Sequence, residues 1–320
     1  MSVFQSSLAS YMDDYLAYRK ALGYSEKTYV PFLCNLDRFL CALPLTEAVL
    51  TRDAVMEWLE RHPNESRSSQ NGRAGQIRGF AQYLSALGIP AFVLPNRFLS
   101  SKRNFQPYIF TDEELTALFT AVDDNCLENG LESIAFSTMI RLIYTCGLRP
   151  GEGRLLCAKD VDLETGIIHI ADGKRHIERF VTMSEDMTSA MIAYVRQRNS
   201  IFPYADAFFV TGSGGFFSGE KVRRTFQESW QRCNPGIPGE NLPCVRIYDL
   251  RHRFACAALN RWLDEGQDLY VMLPYLSAYM GHSTLSSTAY YIHLLPENLI
   301  KSAGVDWNSM NALIPEVDIW

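Results

Sequence analysis

Five side chains stand where local elements end, and their types fit one kind of chemistry. Arg149 follows Gly147 in Cys146-Gly147-Leu148-Arg149-Pro150-Gly151-Glu152, Lys174 lies just past an Asp172-Gly173 turn, and Arg251 stands in Tyr248-Asp249-Leu250-Arg251-His252. His282 and Tyr291 complete the set, nine residues apart. One continuous helix would put those two on opposite sides, so a shared site requires a break, which Gly281 and an N-cap at Ser283 or Thr284 supply. Taken singly, such an arginine is most often an ion-pair partner, a hairpin lysine a solvated cation, and the histidine of a Gly-His pair a capping side chain. Together they match what attack of a phenol on a phosphodiester requires without a metal. The pentavalent transition state gathers charge on its non-bridging oxygens, which two guanidiniums, Arg149 and Arg251, meet in a planar, multidentate way. Lys174 is the candidate general acid for a 5′-hydroxyl leaving group. His282 suits a bond to a phosphoryl oxygen or movement of the nucleophile's proton. Tyr291, with an ordinary phenol pKa of about 10, becomes a competent nucleophile only beside cations such as these arginines.

The elements that must position these groups read as mostly helical. Phe4, Leu8, Tyr11, Met12, Tyr15 and Leu16 recur at helical spacing before Gly23. Ser25 can cap a second helix carrying Tyr29, Phe32, Leu36, Phe39 and Leu40, with Pro31 predicting a kink or a late start. A third helix is expected from about Thr51, and a fourth from Ser68 to Leu87. The stretch from Ile89 to Pro107 is basic and broken by prolines, so it reads as an interdomain linker. Beyond it, Thr111-Asp112-Glu113-Glu114 spells a capping box, and a helix from about Glu132 to Cys146 ends at Gly147. The one strong strand signal is a β-hairpin, Gly166–Ile170 and Arg179–Thr182. Helices return at 185–198, 219–232, 250–264 and 269–280. The tail from Val305 carries Trp307, Met310, Leu313, Ile314, Val317, Ile319 and Trp320 past the apparent end of the core.

A chain of 320 residues, 47% apolar, can bury a full core and fill two domains, here 1–105 and 106–320. No apolar run reaches membrane-spanning length and the first residues lack a signal-peptide pattern, so a cytoplasmic protein is expected. The eight cysteines contain no C-x-x-C pair and read as buried, reduced thiols with no metal role. The net charge of −6 hides a division, since residues 1–105 sum to +3. From Arg61 to Arg103 seven basic residues, among them Arg67, Arg73, Arg78, Lys102 and Arg103, face Glu65 alone. That segment is either a phosphate-tracking surface or a solvated helix face with a basic linker.

The order and local wording of these motifs resemble the tyrosine recombinase family, also called phage integrases. The resemblance rests on Gly147 to Glu152 with Leu155-Leu156, Gly173-Lys174, Leu250-Arg251-His252, Gly281-His282-Ser283 and Tyr291-Ile292-His293. Phe110 to Leu115 looks like the opening of the family's catalytic domain, and Leu22 to Thr28 like its core-binding domain, so nearly the whole chain is covered. The resemblance implies a four-helix, SAM-like core-binding domain followed by a mixed α+β catalytic domain with a C-terminal tail helix. It further implies cleavage of double-stranded DNA at a recombination site through a 3′-phosphotyrosyl bond to Tyr291, with no cofactor, metal or ATP. A homo-oligomer on DNA, a dimer or tetramer, is implied, with accessory DNA-bending factors as possible partners and no membrane. The tail either docks on a neighbouring protomer or packs on its own domain.

One position departs from the pattern. Where the family commonly has histidine three residues before the second arginine, this chain has Tyr248, a much poorer proton acceptor, so His282 is expected to carry more of that duty. His252 is expected to point elsewhere and pack, and Glu152 to orient basic groups or cap a helix. Tyr290 is the rival nucleophile, and the Tyr-x-His wording favours Tyr291. The wording from Leu273 to His282 looks like integrases of mobile elements such as phages and transposons. A chromosome or plasmid dimer resolution recombinase, and a DNA-binding accessory protein of the same fold with weak or no cleavage, are the other readings.

Overall fold

The computed structural model describes residues 3–44, 47–96, 98, 107–171 and 178–294, without the side chains of 125–129 and 293. The expectations for Lys102, Arg103, Lys174 and the tail beyond residue 294 lie outside the described residues. The chain divides into two compact units, one drawn from residues 1–104 and the other from 105–317.

The first unit holds α1 (Ala9–Ala21), α2 (Glu26–Cys41), α3 (Arg52–Trp58) and α4 (Arg67–Ala86) around Leu8, Met12, Tyr15, Leu33, Leu36, Val55, Phe80 and Leu84. Thr51 and Ser66 cap α3 and α4 by accepting from the Ala54 and Ser69 amides. Phe4 and Leu8 are buried as expected, but ahead of the first helix. There the Asp37 carboxylate accepts the Gln5 and Ser6 amides, giving these donors a partner outside the helix. Pro31 lies inside α2, which starts at Glu26, so the late start does not occur.

The second unit opens with the expected capping box, Thr111 and Glu114 satisfying each other's backbone amides. It begins α5 (Asp112–Thr145), two helical stretches joined across Gly130 at φ 65°. Then come α6 (Pro150–Arg154), a 3-10 turn (Ala158–Asp160), β1 (Val161–Asp162), β2 (Ile167–Ile170) and β3 (Arg179–Thr182). The sheet is antiparallel in the order β1-β2-β3, with Ile168 opposite both Val161 and Val181. Next are α7 (Glu185–Ile201), α8 (Gly219–Arg232), α9 (Ile247–Asp264), α10 (Leu269–Met280), α11 (Ser286–Ala289) and a 3-10 turn (Tyr290–Leu294). The first half of the core wraps α5 with Leu118, Ile140, Ile143, Phe209, Phe226 and Leu250. A second cluster, including Leu259, Leu273, Met280, Tyr291 and Ile292, joins α9 and α10 to the C-terminal turn.

The fold is therefore mostly α with a small sheet, as expected. Three further details depart from the sequence expectation. β1 is too short to leave a period-2 signal. Helix α9 starts at Ile247 rather than Leu250, which draws Tyr248 into its first turn. Of the seven cysteines whose side chains are described, only Cys146 and Cys256 are buried, while Cys41 and Cys244 are exposed: Cys41 is the last residue of α2 and Cys244 lies outside any helix, ahead of α9. Among the described residues no helix is long and apolar enough to cross a membrane.

Two glycines end the helices that flank the candidate site. Gly147 follows α5 at φ +59° and Gly281 follows α10 at φ +65°, left-handed conformations that spare glycine the Cβ penalty. A Cβ on Gly147 would lie 2.4 Å from the Phe254 ring. Gly147→Ala is expected to cost about 1–2 kcal/mol of backbone strain and about 1–3 kcal/mol of overpacking. A urea unfolding midpoint unchanged from wild type would contradict this.

Candidate active site

Glu152 is the hub of the site's outer half. Arg149 is the N-cap of α6, and its amide and Nη1 donate to the two Glu152 oxygens at 2.8 and 2.7 Å. Arg179, from β3, reaches the same carboxylate with Nη1 and Nη2 at 3.0 and 2.7 Å, while its Nε donates to the Tyr279 carbonyl. Burial works against ionisation of Glu152, but the hydrogen bonds and charge of Arg179, joined by Arg149, outweigh it and hold the carboxyl at about 2. The role expected of Glu152, orienting basic groups and capping a helix, matches these contacts. The remaining Nη2 of Arg149 donates to the Gly281 carbonyl.

Arg251 is the inner cation and is fully buried. Its Nη1 donates to the Gly147 carbonyl and its Nη2 to the Met280 carbonyl, both at 2.6 Å, with Nη2 also 3.0 Å from His282 Nε2. The carbonyls belong to the C-terminal ends of α5 and α10, where helix dipoles favour a cation. Among the described residues no carboxylate forms an ion pair with Arg251, and its buried Nε has no hydrogen-bond partner. Burial lowers its pKa, the direction expected of a desolvated guanidinium that lacks a paired anion.

His282 is held at both nitrogens. A guanidinium only donates, so Nε2 accepts from Arg251 and Nδ1–H donates to Thr288 Oγ1 at 2.7 Å. Burial, then the charges of Arg251 and Arg149, push its pKa down to about 3, so the ring is neutral. Tyr291 follows α11 on the 3-10 turn and is 2% exposed. Its ring lies 6.1 Å from that of His282, nearly parallel, and 5.5 Å from that of His252. Burial raises its pKa to about 12 against the opposing charge of Arg251. Tyr290, 38% exposed, is the more accessible of the two phenols but lies on the outer side.

The expectation that His252 points away from the site is overturned. Tyr248 and His252 are four residues apart and share one face of α9, with ring centroids 5.1 Å apart, and His252 lies between Tyr248 and Tyr291. The first turn of α9 is enclosed on several sides, so Asp249, Leu250, Arg251 and His252 are all buried despite diverging around the helix. Tyr248 also lines a cavity of about 690 Å³ together with Arg149, Glu152, Lys159 and His169.

Arg149, Arg251, His282 and Tyr291 thus converge, with Tyr248 beside them. Arg179, His252 and Thr288 are the participants that sequence reasoning missed. Arg179 had a usable signal, because alternation along β3 puts it on the same inward face as Val181. In the first unit, Arg73 is bound by Glu65 and by the carbonyls of Trp58 and Glu60, and Arg78 by the carbonyls of Leu94 and Pro95. Arg67 contacts Gln70.

The family model for the phage integrase family matches residues 109–298. A candidate integrase/recombinase, y4rE of Sinorhizobium fredii, is 28% identical over 91% of this chain and 93% of its own length. Tyrosine recombinase XerD of Ralstonia nicotianae is 27% identical over 81% of this chain and 78% of its own. Among solved structures, the Tn1549 transposon integrase in complex with transposon right-end DNA superposes with a TM-score of 0.64 at 15% identity, covering 96% of this chain and 99% of that one. A lambda integrase dimer on a core site gives 0.59 at 14% identity over 90% and 97% of the two chains. The matched region holds both arginines, the histidine and the tyrosine of the site, and the chain belongs to the phage integrase family of tyrosine recombinases.

Proposed function

We propose that this protein is a site-specific DNA recombinase of a mobile element, cutting and rejoining strands through a 3′-phosphotyrosyl bond to Tyr291. The observation that carries the reading is Arg251, a fully buried guanidinium held by carbonyls and, among the described residues, without an anion, beside the tyrosine and 3.0 Å from His282. A buried cation with no counter-charge is matched by a phosphate anion. In this reading Arg149 and Arg251 bind the non-bridging oxygens of the scissile phosphate. Lys174 protonates the 5′-oxygen, His282 orients Arg251, and Tyr248 donates a hydrogen bond near the phosphate. The bond to Tyr291 conserves the energy for joining to a new strand. The relatives are recombinases, and two structural neighbours are described on DNA, one as a dimer. That supports a double-stranded recombination site as substrate, a homo-oligomer as the working form, and action in the cytoplasm. Of the basic segment of residues 1–105, Arg67, Lys102 and Arg103 would supply further DNA contacts, whereas Arg73 and Arg78 are taken up by Glu65 and by main-chain carbonyls and serve the fold instead; a tail docked on a neighbour would link protomers.

The test is a nicked suicide substrate carrying a site recovered by selecting fragments bound from the DNA around its gene. Wild type is expected to form a covalent protein–DNA adduct, and Tyr291→Phe to bind without forming one. Binding without any adduct from wild type would favour the accessory-protein reading. An adduct from Tyr291→Phe would overturn the choice of nucleophile.

A further inference from the structure

Cleavage requires somewhere for the Tyr291 proton to go. The phenol is buried, so bulk water is not in free contact with it. His282 is poorly placed to accept, since its only lone pair already takes a hydrogen bond from Arg251 and its N–H is committed to Thr288. Protonating His282 would break its bond to Arg251 and set two cations side by side. Tyr248 is itself a phenol and a weak base. Among the described side chains around Tyr291, one imidazole keeps a nitrogen without a partner. His252 is buried, its ring lies 5.5 Å from that of Tyr291, and its Nδ1 has no hydrogen-bond partner.

We propose that His252 takes the phenolic proton of Tyr291 during strand cleavage, the duty that the sequence pattern assigns to other positions. The proposal rests on the recombinase reading above. As Tyr291 Oη bonds to phosphorus, its proton passes to the His252 lone pair, giving an imidazolium. The bond between phosphorus and the 5′-oxygen breaks, and that oxygen takes a proton from the general acid. Joining runs the same transfers backwards, with His252 returning the proton to the departing phenol. The groups facing His252 are Arg246, Tyr248, Asp249 and Arg251 of its own helix, Tyr291 of the C-terminal turn, and His282. In the free protein, burial, with Asp249 opposing and Arg246 and Arg251 assisting, lowers its pKa to about 4, so it is neutral with a lone pair available. A phosphodiester bound on Arg149 and Arg251 would cancel part of their field and raise that basicity when it is needed.

The experiment measures adduct formation on a suicide substrate whose scissile 5′-oxygen is replaced by sulfur. Thiolate leaves without a proton, so the pH dependence reports the acceptor alone. Wild type is expected to show an acid limb and to level off below pH 8. His252→Gln and His252→Phe are expected to cut the rate by about 10²–10⁴-fold and to rise about tenfold per pH unit, with DNA binding and melting temperature measured alongside. His252→Phe keeps a ring in the stack but has no lone pair. A wild-type rate from that variant would make His252 a packing residue and overturn the proposal. The wild-type profile stands independently of how the variants fold, and a rate still climbing about tenfold per unit at pH 9 would also overturn it. Absence of any wild-type adduct on either substrate would instead sink the recombinase reading itself.

Discussion

Arg251→Ala is expected to reduce adduct formation on the suicide substrate by about 10³-fold or more, approaching the loss in Tyr291→Phe. Removing a single pre-positioned donor from a developing oxyanion costs about 10²–10³-fold in well-studied sites. Arg251 carries a full charge, sits in a water-excluded pocket, and also holds His282 in place. Arg149→Ala should fall in the same range, because its guanidinium fixes Glu152 and reaches the Gly281 carbonyl. Tyr248→Phe removes one neutral hydroxyl and should cost far less. Single-turnover rates at saturating protein separate chemistry from binding, and equal losses in Arg251→Ala and Tyr248→Phe would contradict the ranking. Arg251→Lys is not expected to rescue, since an ammonium cannot span the Gly147 and Met280 carbonyls while reaching His282.

Glu152→Ala should produce the largest loss of stability. The substitution strands Arg179 as a buried cation, and Arg149 as a half-buried one, without their shared anion; removing one partner of a buried pair typically costs about 3–5 kcal/mol. The same carboxylate makes stability depend on pH. Its folded pKa, about 2, lies below the unfolded value of about 4.3. The stabilisation is therefore complete above the unfolded value and is lost as pH falls toward 2. Urea midpoints between pH 7 and pH 2.5 should drop more steeply in wild type than in Glu152→Ala. Parallel slopes would show that Glu152 is not the group responsible.

Much of this arrangement was readable from the chain because its signals are local. The Thr111 capping box, the glycine stops at 147 and 281 and the order of arginine, histidine and tyrosine are each written within a few residues. What stayed hidden depends on contacts between distant segments. Arg179 meets Glu152 across 27 positions, and Arg251 meets the Gly147 carbonyl across 104. His252 was misread because adjacent residues on a helix diverge by about 100°, an argument that holds only when one side of the helix is covered. Around the first turn of α9 the neighbours close in from several directions, so both Arg251 and His252 face protein. The pairing of Arg73 with Glu65 was similarly invisible to a charge count, which registers only that seven basic residues surround one acid.

Arg251 is held by main-chain oxygens at Gly147 and Met280, and the Gly281 carbonyl completes the hold that Glu152 has on Arg149. No substitution can delete a peptide carbonyl, so this part of the apparatus presents almost no target to mutation beyond the glycines whose left-handed backbone aims it. The hold on Arg251 then depends on the turns at 147 and 281 rather than on the identity of a neighbouring side chain.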